Sequence, residues 1–365
     1  MSARKYILSG ECRVTNDECW AFGGLSFAIR HSTFGIRHSP LATRHSALGI
    51  LLIFLSCLGP STSAGQAWTL PKGTAYVKTS YGSATAAQQF TFDGRATDYI
   101  NGLPGDTYRD RSLYLYSEFG LSDNFSAILS VPYKRTFVRD HSFRFRIFGL
   151  GSIAIGGRLS LLPLLAKTPA RQSLSVNLMA YVPTGYTRNF TPSTGAGQVD
   201  FQGTLFWGQS FYPFPGYAQL GLGYRHRSSI YLLSQSTPCN SGSDIHCITD
   251  PQAAYGDELL FHAEAGISPF NGLILLQAIG SGAWALKKPQ VGFSAINPLP
   301  THQRIVKAGA GLTLYPFHAA KSPATNTSGL RTLGFSAQYF QVLYGRNTIN
   351  SRDLFLGIEL RPRFF

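Results

Sequence analysis

Few residues in this chain are of a type and spacing that could do chemistry. His262 lies in an alternating stretch with Glu258 and Glu264, and the even spacing puts all three on one face of an extended strand. Such a set can hold a cation or move a proton, because imidazole titrates near neutrality and a carboxylate can orient it. The same residues equally suit a satisfied polar network in a protein interior. A hydrolase would also need a nucleophile. Gly-x-Ser-x-Gly is absent, and of the histidines beyond residue 67, namely His141, His226, His246, His262, His302 and His318, only His262 falls in the middle of an alternating stretch. Cys239 and Cys247 bracket a short polar segment and suit a disulfide in an oxidising compartment. A zinc site there would need more than Cys239, His246 and Cys247, with Asp244 as the remaining candidate. No metal and no cofactor is expected.

The elements that position these residues become legible once the start of the chain is set aside. Residues 1–46 carry Arg-His-Ser three times, at Arg30, Arg37 and Arg44, without an apolar seam, and read as an over-long extension. Residues 47–67 follow a basic flank with an apolar run from Ala47 to Leu58 and then small residues, the order of a cleavable signal peptide. The run is too short to span a bilayer as a helix. Cleavage is expected after Ala67 or Ala64, with Ala67 preferred, leaving 68–365 as one domain. That stretch holds 298 residues with 26 basic and 15 acidic side chains, a formal charge of +11. Cys12, Cys19 and Cys57 leave with the leader.

Beyond residue 74 the apolar residues recur every second position. Leu174, Val176, Leu178, Ala180 and Val182 share one face against Ser173, Ser175 and Asn177; Leu354, Leu356, Ile358 and Leu360 alternate with Asp353, Gly357, Glu359 and Arg361. Only 14% of residues are charged, against roughly 25% in soluble domains, while 38 glycines and 44 Phe plus Tyr fit strands and turns. Mean hydropathy is −0.01, and no apolar run is long enough for a membrane helix. The fold class expected is all-β: a transmembrane antiparallel β-barrel. Strands are predicted at 74–82, 111–119, 125–137, 151–162, 173–183, 199–210, 217–227, 257–267, 273–282, 303–315, 331–343 and 352–364, about twelve. A soluble β-sandwich would alternate too, but its strands run shorter, and here aromatics such as Tyr76, Tyr81, Tyr133 and Phe137 sit at strand ends. The chain ends Phe364-Phe365, with the apolar series in phase with Phe364, as in a barrel-assembly signal.

Residues opposite the apolar faces define the lumen. Glu118, Arg158, Asn177, Asp200, Gln202, Arg225, Glu258, His262 and Glu264 are the permeation candidates, and their mixed signs allow either a transverse field or a cross-linked plug. The densest basic patch is Arg135, Arg139, Arg144 and Arg146, interleaved with Phe137, Phe143, Phe145 and Phe148. The basic excess sits largely in connections, where on an exported barrel lipopolysaccharide phosphates are nearer anions than nucleic acid; the same charges equally suit solvated loops.

Several segments resemble a known family: Trp68-Thr69-Leu70-Pro71-Lys72-Gly73, Glu118-Phe119-Gly120-Leu121-Ser122-Asp123-Asn124, Val131-Pro132-Tyr133, Gly149-Leu150-Gly151, Gly157-Arg158, and Tyr181-Val182-Pro183-Thr184-Gly185. Together these are similar to the outer-membrane barrels grouped as the "MetA-pathway of phenol degradation" family. The resemblance implies a barrel admitting small organic solutes, aromatic or hydrophobic ones included, and it carries no catalytic residue. The expectation is therefore a bacterial outer-membrane channel gated by its long loops and not an enzyme. Its expected partners are outer-membrane lipid and lipopolysaccharide, the barrel assembly machinery and a small-molecule solute. Two alternatives stay open: a barrel-borne hydrolase using His262 and nearby carboxylates, and a non-conducting structural or surface-interaction barrel.

Overall fold

Strict alternation over ten or more residues leaves a strand one stable solution, in which one face meets an apolar medium and the other a polar one. A computed structural model describes residues 66–98, 107–139, 144–165, 171–184, 194–231, 255–287, 302–316 and 333–364. In chain order the strands are β1 (Ala75–Ala86), β2 (Gln88–Phe90), β3 (Ala96–Asp98), β4 (Thr107–Ser122), β5 (Phe125–Arg139), β6 (Arg144–Leu150), β7 (Ile153–Ser160), β8 (Gln172–Val182), β9 (Gln198–Ser210), β10 (Gly216–Tyr231), β11 (Glu258–Ile267), β12 (Ile274–Ala285), β13 (Arg304–Leu314), β14 (Gly334–Arg346), β15 (Thr348–Ile349) and β16 (Arg352–Leu360). A single helical turn, α1 (Leu162–Leu165), lies in one connection.

The strands pair antiparallel with their sequence neighbours, and β1 pairs with both β4 and β16, which closes the sheet. β6 and β7 both pair with β5 and are two halves of one stave, interrupted at Gly151 and Ser152. The result is a closed antiparallel barrel of twelve staves, as the sequence predicts. Closure pairs every membrane-crossing stave on both sides, the condition for a sheet to sit in lipid; among the described residues only the β6 half-stave lacks a second strand partner. A soluble sandwich is excluded by that closure. The final strand is locked near its end, where Phe364 N–H donates to Gly73 O at 2.8 Å and the Phe364 ring lies 6.0 Å from Phe119.

Three features were not predicted. The first is β6 (Arg144–Leu150), which begins its stave seven residues before the predicted start at 151 and puts Arg144 and Arg146 in the wall. Several strands extend further than their apolar stretch, β4 and β10 reaching 16 residues each. They rise at the end opposite the termini, which in this class is extracellular. There β2, β3 and β15 form a separate three-stranded sheet. It pins the first long connection to the turn between β14 and β16. Asn347, in the left-handed region at φ 49°, donates from its backbone N–H to Thr91 O at 3.2 Å.

Candidate functional site

The barrel wall sorts side chains as the period-two pattern requires. Leu113, Leu178 and Leu222 are 51%, 61% and 67% exposed on the outer surface. Among the described residues the inward positions carry Asp110, Glu118, Asp200, Glu258, Glu264, Asp353 and Glu359 against Lys78, Lys134, Arg158, Arg225, Arg227, Lys307 and Arg361, an equal number of each sign. Most of these charges pair with one another, some across adjacent staves and others, as with Arg158 to Glu118 and Lys307 to Asp353, across one intervening stave.

The first cluster lies at the periplasmic end and contains the principal departure from expectation. Residues 66–71 run inside the barrel. Ala67 is fully buried: its N–H donates to Gln219 Oε1 at 2.9 Å, and its carbonyl accepts from Ser173 Oγ at 2.5 Å. Trp68 O accepts from Arg158 Nη1 at 2.9 Å, and Leu70 N–H donates to Ser126 Oγ at 3.1 Å. The Trp68 ring stands edge-on to Tyr217 at 6.1 Å. Backbone buried away from water must find partners, and here the inner wall supplies them. It also supplies room. A Cβ on Gly208 would lie 2.6 Å from the Trp68 ring, and one on Gly120 would lie 2.2 Å from Pro71 O. Arg158 is the hub. It pairs with Glu118 at 3.0 Å and donates from Nε to Asn177 Oδ1 at 2.8 Å. Between this segment and the far wall remains a cavity of about 240 Å³, bounded by Lys78, Tyr76, Tyr217, Tyr315, Glu359 and Arg361 among others.

The middle of the lumen is aromatic. Phe355 contacts Tyr114 and Phe340, each with ring centroids 5.9 Å apart, and across the barrel Phe206 lies 6.1 Å from the His262 ring. Phe206 sits so close over Gly221 that a Cβ there would lie 2.5 Å from the ring. A glycine opposite keeps the ring flat against the wall instead of across the passage.

Above the aromatic layer, Arg225 pairs with Glu258 at 3.1 Å and with Gln202 Oε1 at 2.8 Å. Arg227 reaches Asp200 at 3.1 Å and Glu258 at 3.2 Å. On the opposite wall Lys307 pairs with Asp353 at 2.5 Å, and Lys134 with Asp110 at 4.0 Å.

All nine permeation candidates thus face the lumen, but in separate groups. Arg158, braced by Glu118 and Asn177, holds the inserted segment, whereas Asp200, Gln202, Arg225 and Glu258 form the upper cluster. His262 and Glu264 lie between, 3.4 Å apart. Glu264 also accepts from Tyr217 Oη and from Gln277 Nε2, the latter at 2.8 Å. Glu258 is held by two arginines, so the triplet of His262 with both glutamates is not assembled. Cys239 and Cys247 lie outside the described residues, as do much of the long loops expected to gate the lumen and the whole of 1–65. Sequence reasoning missed the inserted segment together with Lys78 and Arg227; Glu359 and Arg361 were read on the polar face of the last strand but not counted among the permeation candidates. A signal existed for the segment, in the small inward residues Gly120, Ser126, Ser173, Ser175 and Gly208 clustered at the periplasmic ends of neighbouring strands.

A closed antiparallel barrel with an apolar outer belt, tight turns beside the termini and a polar lumen defines an outer-membrane β-barrel. Its place is the bacterial outer membrane. No family model matches the sequence, and no curated protein matches it. Among solved structures, the COG4313 outer-membrane channel from Pseudomonas putida F1 aligns with a TM-score of 0.58 at 12% identity, covering 82% of this chain and all of that one. The translocator domain of the autotransporter NalP from Neisseria meningitidis aligns at 0.41 with 13% identity, over 87% of this chain and 94% of that one. The NanC porin aligns at 0.41 with 5% identity, over 78% and 98%.

Proposed function

We propose that the protein is a passive outer-membrane channel for small organic solutes, closed at its periplasmic end by its own N-terminal segment. The observation that carries this is the inserted stretch 66–71. It is held by wall side chains and by Trp68 against Tyr217, and a polar cavity is left beside it. A handful of hydrogen bonds is a reversible lock. Each is worth about 1 kcal/mol net, so release needs no unfolding of the barrel. With the segment withdrawn, the route would run from the upper charge cluster through the aromatic layer to the periplasmic tyrosines. Flat rings flanked by paired charges suit solutes with an apolar or aromatic body and a polar tip.

Membership of the "MetA-pathway of phenol degradation" family is part of this reading. It is supported by where three of the motifs carrying the resemblance meet: Trp68 and Leu70 inside the barrel, with Pro71 against Gly120 and Trp68 bonded to Arg158. Catalysis is set aside in this reading: Glu258 is taken up by Arg225 and Arg227, and Glu264, 3.4 Å from His262, is already bound by Tyr217 and Gln277 as part of a wall network. The outward Phe364 at the last strand fits recognition by the barrel assembly machinery.

The test is planar-bilayer recording of the refolded chain from Gly65 onward beside its Gly208→Val variant, whose side chain would occupy the space of Trp68. Brief openings in the parent and long openings in the variant are expected, with faster entry of benzyl alcohol into liposomes. A variant that folds but neither conducts nor admits solute would favour the second reading, a permanently cross-linked structural barrel.

A further inference from the structure

Alternation has a second effect at the extracellular end, on the side of the wall away from the lumen. In Arg109-Asp110-Arg111 the aspartate turns inward to Lys134, and in Arg352-Asp353 the aspartate turns inward to Lys307. Both alternations leave arginines facing out, and Arg109, Arg111 and Arg352 are exposed. On β5, the next stave round from β4, Arg135 and Arg139 are exposed on the same outer surface, and β6 adds Arg144 and Arg146 beside them. The register brings like charges face to face. Arg111 is the direct cross-strand partner of Arg135, and Arg139 of Arg144. Directly opposed like charges destabilise a sheet unless an anion lies between them. Phe137, the partner of both Arg109 and Arg146, supplies the ring on which the Arg146 guanidinium rests at 5.8 Å.

Depth fixes what that anion is. Along the outer face of β5 the order is Leu129, Val131, Tyr133, Arg135, Phe137, Arg139, which passes from hydrocarbon through an interfacial aromatic to cation. β4 makes the same passage from Leu115 and Leu113 to Arg111 and Arg109, and β16 from Leu356 and Leu354 to Arg352. The other end of β4 and β5 carries Phe119, Leu121 and Phe125. The cations therefore stand at one membrane boundary only, the outer leaflet, at headgroup depth and facing lipid. Guanidinium forks suit phosphate oxygens, and two arginines from adjacent strands can clamp one group.

We propose that this face of β16, β1, β4, β5 and β6 is a binding site for the phosphorylated headgroup of the outer-leaflet glycolipid, lipid A, with Arg111 and Arg135 as its centre. The acyl chains would lie on the apolar belt directly beneath.

The refolded chain is incubated in detergent with lipid A or with the same lipid stripped of its phosphates, and co-purifying lipid is counted by native mass spectrometry. Wild type should retain the phosphorylated form about tenfold better, since each arginine near an anionic surface adds a similar small increment. The combined Arg109→Gln, Arg111→Gln, Arg135→Gln and Arg139→Gln variant should lose that preference while keeping its conductance. Equal retention of both lipids by wild type, a comparison that needs no variant, would overturn the proposal. So would an unchanged preference in the folded variant. Displacement of bound lipid A by inorganic phosphate at millimolar levels would assign the arginines to free phosphate and overturn the lipid assignment.

Discussion

Arg158 shows how much one lumen residue carries. Its guanidinium neutralises Glu118, orients Asn177 and hydrogen-bonds the carbonyl of Trp68, with side-chain exposure of 4% for the arginine and 5% for the glutamate. Removing one partner of so buried a pair leaves the other charged and desolvated, which costs several kcal/mol. Arg158→Gln is expected to lower barrel stability by about 3 kcal/mol in urea titrations followed by gel shift. It is also expected to loosen the inserted segment, which would appear as more frequent channel opening at temperatures where the barrel stays folded. The alternation made Glu118, Arg158 and Asn177 legible as lumen residues. The partner of Arg158 in the inserted segment was not legible, because Trp68 lies ninety positions earlier and outside any strand.

The inserted segment is the element whose role the chain order conceals. Sequence alone places signal cleavage after Ala67 or Ala64, with the later site preferred by its small residues. The fold bears on that choice, because Ala67 is fully buried and both its backbone groups are satisfied by Gln219 and Ser173. Cleavage after Ala67 would leave a charged ammonium at Trp68 among those same residues. N-terminal sequencing of the protein from outer membranes is therefore expected to begin at Gly65; a first residue of Trp68 would remove the anchor to Gln219 and weaken the plug reading. Most strands were readable to within a few residues, since membrane crossing enforces alternation; the fourth stave was not, because β6 (Arg144–Leu150) lies ahead of its predicted start at 151. The small sheet of β2, β3 and β15 was not readable, because three residues or fewer give no period to detect.

Across the whole molecule the charge is divided by the wall. Inward charges balance, cluster by cluster, while the outward rim at the extracellular end is rich in arginine. A channel whose lumen charges are mutually paired should discriminate little between small cations and anions. The reversal potential of the open channel under a potassium chloride gradient is expected to lie close to zero, and a large potential of either sign would reveal charge freed when the plug withdraws. Among the described residues the excess of basic side chains then belongs to surfaces facing lipid and solvent. By itself the sequence determined the class, the twelve staves and which side chains face inward, because a two-residue period fixes the face of each side chain wherever lipid meets one side of a strand. Only the tertiary structure decided which inward charges meet, that 66–71 fill the periplasmic end, and that arginines of separate strands form one outer face. Those depend on register and closure, which bring together residues far apart in the chain and leave no trace in local periodicity.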